Sequence, residues 1–166
     1  YGPVLYEEIF NEKSQFSEKP LIDLDDIVLD DNLMSKLKTR FGNKISTVTG
    51  RGNFAFSYSM KNFLNNFDIK NSVFLEDRPL NLEKPNPKSL IESISGINSK
   101  CSLYIGDSME DLMMVEKCKE NGYDVSFCGI YGSSDEPELK YELFQKNKAS
   151  FILESIQELP KALNLV

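Results

Sequence analysis

The sequence predicts an α/β fold: a three-layer, parallel, Rossmann-like sheet with helices on both faces. Three observations carry this. From residue 32 onward, short apolar or β-branched runs alternate with longer stretches of helical periodicity, the pattern of βαβ units. The strand candidates are continuous apolar runs, as suits strands covered on both faces. Glycine, proline and polar turns punctuate the elements at loop-sized intervals.

Each element has its own local reason. Residues 32–41 repeat Leu33, Leu37 and Phe41 at four-residue steps and stop at Gly42, an amphipathic helix with a glycine end. Ile45 to Val48 is a β-branched strand closed by Thr49-Gly50. Residues 53–67 place Phe56, Met60, Phe63, Leu64 and Phe67 on one helical face. Val73 to Leu75 reads as a buried strand, and residues 87–97 as a helix opened by Pro87, with Leu90, Ile91 and Ile94 inward. Strands follow at 102–105, 125–130 and 151–153, separated by helices at 109–120 and 137–146. A closing helix over 155–163 should break near Pro160. Residues 32–166 form the core domain on this reading, and residues 1–31 the tail of a helical cap with its connection back.

Composition narrows the chemistry. The chain has 166 residues, which suits one domain, and no apolar run is longer than Leu112 to Val115, so no transmembrane segment or secretory leader is visible. A net charge of −7 argues against a nucleic-acid or anionic-membrane surface. There is no histidine, which excludes Ser-His-Asp and Cys-His catalysis and the His-containing zinc sites. Cys101, Cys118 and Cys128 contain no C-x-x-C pair and read as reduced thiols of a cytoplasmic protein.

In parallel sheets, ligands collect at the carboxyl ends of the strands, so the residues that follow each strand matter most. Thr49-Gly50-Arg51-Gly52 brings a hydroxyl and freed backbone amides to a helix start, a phosphate-binding arrangement or else a tight turn capped by Asn53. Lys84-Pro85-Asn86-Pro87 fixes a lysine just ahead of a helix, as a positive charge for phosphoryl oxygens or a solvated lysine in a stiff turn. Gly106-Asp107-Ser108-Met109-Glu110-Asp111 puts Asp107 at a strand tip, where Mg²⁺ would find an oxygen ligand. Asp111 lies four residues on, either a second ligand or half of a capping box with Ser108.

Taken in order, a hydroxyl-Gly turn, Lys-Pro-x-Pro and Gly-Asp-x-x-x-Asp resemble the haloacid dehalogenase (HAD) superfamily over residues 32–166. The resemblance implies a Mg²⁺-dependent phosphatase acting on a small phosphorylated metabolite through a phospho-aspartate. It implies that Thr49, Gly50 and Lys84 hold the phosphoryl group, that Asp107 and Asp111 hold Mg²⁺, and that Thr49, Lys84 and Asp107 are the catalytic residues present. A receiver-like signalling domain would need its acidic residues ahead of Thr and Lys, the reverse of the order here.

The family's nucleophile, the first Asp of an Asp-x-Asp motif after the first strand, has no clear counterpart. Asp23-Leu24-Asp25 follows only Leu21-Ile22, and Asp30-Asp31 runs directly into the next helix. Either Asp23 and Asp25 are that motif, or it precedes Tyr1. The chain begins with Tyr, so it is expected to be part of a longer or processed protein. In that family the first strand sits mid-sheet. A core without it would expose two strand edges and require an upstream peptide or a partner to complete the sheet, or else be a catalytically incomplete binding module.

Overall fold

The computed structural model describes residues 3–15, 22 and 26–165. Its elements run α1 (Pro3–Phe10), α2 (Asp31–Phe41), β1 (Val48–Thr49), α3 (Asn53–Ser59), β2 (Val73–Phe74), α4 (Lys88–Gly96), β3 (Ser102–Gly106), α5 (Met109–Glu120), β4 (Val125–Ile130), α6 (Pro137–Lys146), β5 (Phe151–Leu153) and α7 (Leu159–Ala162). All pairing is parallel, and helices cover both faces. Asp23, Leu24 and Asp25 lie outside the described residues.

The layers follow from side-chain alternation along the strands. In β4, Val125 and Phe127 face one way, into a cluster with Leu90 and Ile94 of α4, Leu112 and Val115 of α5 and Phe144 of α6. Cys128 faces the other way, among Leu33, Met34 and Leu37 of α2 and Leu159 of α7, with Leu103 and Ile105 of β3 packed alongside. Phe127 and Phe144 meet with ring centroids 5.4 Å apart and planes at 65°, an edge-on contact worth about 0.5–1.5 kcal/mol beyond the area it buries. Gly129 makes room for that ring, since a Cβ there would lie 2.5 Å from Phe144 Cδ2.

One feature departs from a single continuous sheet. β1 pairs with β2, and β3–β4–β5 form a separate sheet in that order. Among the described residues, the second edges of β1 and β3 have no strand beside them. The Val73 amide donates to the Thr47 carbonyl at 2.8 Å, so Thr47 points toward β2. Carbonyls alternate sides along a strand, and the Val48 carbonyl therefore points to the opposite, unpaired edge. Helix α4 packs against β1, β2 and α5, and so joins the two pieces.

Two boundaries move for local reasons. The first strand lies at Val48–Thr49 rather than Ile45–Val48, because Thr47 is held by a donated bond from its amide to Ser72 Oγ at 3.0 Å and Ile45 by the Asp68 amide, outside a regular ladder. Helix α3 ends at Ser59 rather than Phe67, and the chain resumes as a 3₁₀ turn at Leu64–Asn66. Phe67 still reaches Phe56, at 5.4 Å between centroids, so the apolar pattern reflects burial of the rings rather than one continuous helix. The closing segment divides where a break is expected, a 3₁₀ turn at Ile156–Glu158 giving way to a short α7 whose first turn holds Pro160.

Candidate active site at the carboxyl ends of β1 and β3

Helix α5 begins with a reciprocal capping box. Ser108 Oγ accepts from the Asp111 amide at 3.1 Å, while Asp111 Oδ2 accepts from the Ser108 amide at 3.2 Å and its hydroxyl at 2.8 Å. The Asp111 side chain is thereby turned back toward the end of β3, close enough that a Cβ on Gly106 would sit 2.6 Å from Oδ2. Its other oxygen, Oδ1, takes the Lys84 ammonium at 2.7 Å and faces the Tyr104 hydroxyl at 3.0 Å. Asp111 is only 3% exposed, and the Lys84 side chain 19%.

Burial alone would disfavour a charge on Asp111. The hydrogen bond and charge of Lys84, with the bonds from Ser108 and Tyr104, outweigh it and hold the carboxyl below its ordinary value. Tyr104 shifts the other way: burial, then the Asp111 charge and hydrogen bond, then the Asp107 charge push its phenol far up. Both groups stay in their usual forms at neutral pH, carboxylate and neutral phenol. The same phenol oxygen lies 3.1 Å from the Val48 carbonyl, so Tyr104 spans the interval between β3 and β1. Lys84 Nζ lies 5.8 Å from the Tyr104 ring centroid.

A chain of polar contacts thus runs from Lys84 through Asp111 and Tyr104 to Val48, whose neighbour is Thr49. Thr49 Oγ1 accepts from the Arg51 amide at 3.3 Å, closing its turn, and the Gly50 Cα has open space around it. The amides at the start of α3 are engaged: Gly52 donates to Glu76 Oε2 and Asn53 to Asp77 Oδ2, both at 2.8 Å. The N-cap is Gly52, not Asn53, and two carboxylates from the loop after β2 serve in place of a capping side chain. A Cβ on Gly52 would lie 2.9 Å from both carboxylates, which accounts for the second glycine of the turn.

The structure therefore brings Lys84 and Asp111 into contact and leaves Asp107 apart from them. Asp107 is exposed just beyond β3, and its carboxylate has no hydrogen-bond partner among the described residues. That suits a hard cation such as Mg²⁺. Asp111 has both oxygens doubly engaged, which accounts for a carboxylate's roughly four lone-pair sites, so it would have to surrender Lys84, Tyr104 or Ser108 to ligate directly. No group of three His, Cys, Asp or Glu side chains is poised around a metal among the described residues. Asp107 fits the ion, and Asp111 as arranged fits a role through Lys84. The motifs pointed to Thr49, Lys84, Asp107 and Asp111 but not to Tyr104. Its only signal was a hydroxyl-bearing residue three positions before Asp107, on the face opposite Leu103 and Ile105.

No family model and no curated protein matches the sequence. Among solved structures, one similar chain is a Northeast Structural Genomics Consortium target, with a TM-score of 0.77 and 21% identity over 98% of this chain and 50% of that one. A second is a Bacteroides fragilis protein provisionally assigned as a haloacid dehalogenase-like hydrolase, with a TM-score of 0.59 and 22% identity over 77% of this chain and 56% of that one. The present chain thus spans about half the length of each.

Proposed function

Starting from a haloacid dehalogenase-like fold, which the sequence motifs and the structural neighbours both indicate, we propose that this chain is the core of a Mg²⁺-dependent phosphohydrolase for a small phosphorylated metabolite. The observation that carries the reading is the Lys84–Asp111 pair, an ammonium held at 2.7 Å by a buried carboxylate at the strand ends. Lys84 and the Thr49-Gly50 turn would bind phosphoryl oxygens and offset their charge. Mg²⁺, with Asp107 as its ligand from this chain, would supply further neutralisation of the phosphoryl group. Asp111 would act by positioning Lys84.

The covalent step needs a nucleophilic carboxylate. In the proposed reaction it attacks phosphorus, the bond from phosphorus to the leaving oxygen breaks, and a second acid protonates that oxygen; water then hydrolyses the acyl phosphate. Two features favour delivery of this carboxylate by an extended segment between β1 and β3: the Val48 carbonyl facing an unpaired edge, and neighbours about twice as long as this chain. Without such a segment the chain binds phosphate and does not turn over. The test is a generic aryl phosphate with Mg²⁺, alongside inorganic phosphate titrated by calorimetry. We expect phosphate binding that Lys84→Met abolishes, and turnover at the background level, since loss of a nucleophile has cost on the order of 10⁶ in kcat elsewhere. Phosphate affinity unchanged in Lys84→Met would overturn the assignment. Robust turnover that vanishes in Asp23→Asn would instead make Asp23 the nucleophile and Asp25 the acid.

A further inference from the structure

The turn between β1 and α3 is anchored to one support at both ends. At its entry, Thr49 is paired with Phe74 of β2. At its exit, the Gly52 amide donates to Glu76 Oε2 and the Asn53 amide to Asp77 Oδ2, both at 2.8 Å. Glu76 and Asp77 belong to the 3₁₀ turn Leu75–Asp77 that directly continues β2. That turn is closed by the Arg78 amide on the Leu75 carbonyl at 3.0 Å and seated by the buried Phe74 and Leu75. Only Gly50 and Arg51 lie between the anchors, and the Arg51 amide is turned back onto Thr49 Oγ1. The Thr47 carbonyl points to β2, so by alternation the Thr49 carbonyl does too. The peptide that follows is planar and trans, and the Gly50 N–H therefore points away from β2.

We propose that Glu76 and Asp77 are positioning residues, a brace that aims the Gly50 amide at a phosphoryl oxygen and stays in place when the anion binds. This rests on the reading that the Thr49-Gly50 turn binds phosphoryl groups. Gly50 has no Cβ and open space around it, so an unbraced turn would spread over many backbone states that a ligand would first have to narrow. Bonds from backbone amides to carboxylates are charge-assisted and stronger than neutral ones, which suits a fixed anchor. The carboxylates also sit tight: a Cβ on Gly52 would lie 2.9 Å from both Asp77 Oδ1 and Glu76 Oε2, so a phosphoryl group has no space against these two amides. Their charge acts in the opposite sense. Both side chains are exposed and negative, and they oppose a second anion bound nearby. The brace therefore raises phosphate affinity through geometry while its charge lowers it. Side-chain amides in the same places would keep the first effect and remove the second.

The experiment titrates the full chain with inorganic phosphate at low ionic strength, by calorimetry and by NMR on isotopically labelled protein. In the wild type, the Gly50 amide resonance should move on binding. Couplings across the hydrogen bonds from the Gly52 and Asn53 nitrogens to the Glu76 and Asp77 carboxylate carbons should persist at saturation. In Glu76→Gln/Asp77→Asn, affinity should hold at the wild-type value or rise by up to about threefold. In Glu76→Ala/Asp77→Ala it should fall by about fivefold or more, although the same two charges are gone. Equal affinities in the two double variants overturn the brace, whether both rise or both fall. Loss of the couplings at saturation makes the carboxylates competitors that phosphate displaces, and a Gly50 resonance that stays still removes the amide they were to aim; either overturns the proposal. No phosphate binding by the wild type overturns the phosphoryl reading of the turn and the brace with it. The wild-type couplings decide the matter even if the alanine variant does not fold.

Discussion

Asp111 is the residue on which most of the site's order depends, because its carboxylate caps α5, holds Lys84 and faces Tyr104. Asp111→Asn keeps much of the capping geometry and removes the charge opposite Lys84. Removing one partner of a fully buried pair costs about 3–5 kcal/mol; with Lys84 retaining some water contact, a loss of about 2 kcal/mol is expected in urea denaturation. The pH dependence has a definite sign. The folded carboxyl titrates below its ordinary 3.8, so its contribution is full above that value and disappears as pH falls through the lower folded value. Urea titrations of the wild type should show stability falling on acidification below about pH 4, and Asp111→Asn should fall less steeply. The sequence offered both readings of this residue, metal ligand and capping-box partner. It could not show that Lys84, 27 positions away, would take one of the carboxylate oxygens, because that contact depends on how the turn before α4 meets the start of α5.

Among elements, α5, β4, α6 and β5 were the most legible from sequence, with boundaries at Met109–Glu120, Val125–Ile130, Pro137–Lys146 and Phe151–Leu153 as expected. Their signals are strong and local: a serine cap, a four-residue apolar core and a β-branched start after a polar turn. The region from 45 to 67 was less legible because its order comes from distant partners, such as Ser72 for Thr47 and the carboxylates of Glu76 and Asp77 for the start of α3. The junction of β3 and α5 gives an element-scale test. Gly106→Ala places a Cβ 2.6 Å from Asp111 Oδ2 and 2.7 Å from Asp111 Cβ, and the capping box must move aside. Overpacking of this kind costs about 1–3 kcal/mol, whereas Ser108→Ala removes only the cap and costs about 1 kcal/mol. Chemical denaturation of both variants should rank them in that order. The Lys84 acetylation rate should rise in Gly106→Ala, since the carboxylate that restrains it is displaced.

For the whole molecule, the division of the sheet sets where stability is concentrated. β3, β4 and β5 share ladders flanked by clusters on both faces, and Cys128, Phe127 and Phe144 are almost wholly buried. β1 and β2 share two residue pairs. Hydrogen exchange followed by mass spectrometry should show the amides of β4 as the slowest group, with those of β1 and β2 exchanging through smaller openings that leave β4 protected. Simultaneous exchange of all five strands would show that the two pieces open as one unit. No helix among the described residues is long and apolar enough to cross a membrane.

The position of α4 across both pieces has a mechanical consequence. Parallel ladders resist load as sheared rows of hydrogen bonds, but β1 and β3 share no such row among the described residues; between them stand the Tyr104 phenol and the packing of α4. A pulling force applied between the two pieces therefore falls on side-chain packing before it reaches a ladder. Leu90 and Ile94, the buried face of α4, act as the splint across this seam. Among the described residues there is thus a preferred plane of parting, and tension along it would separate β1 and β2 from an otherwise intact β3–β4–β5 sheet.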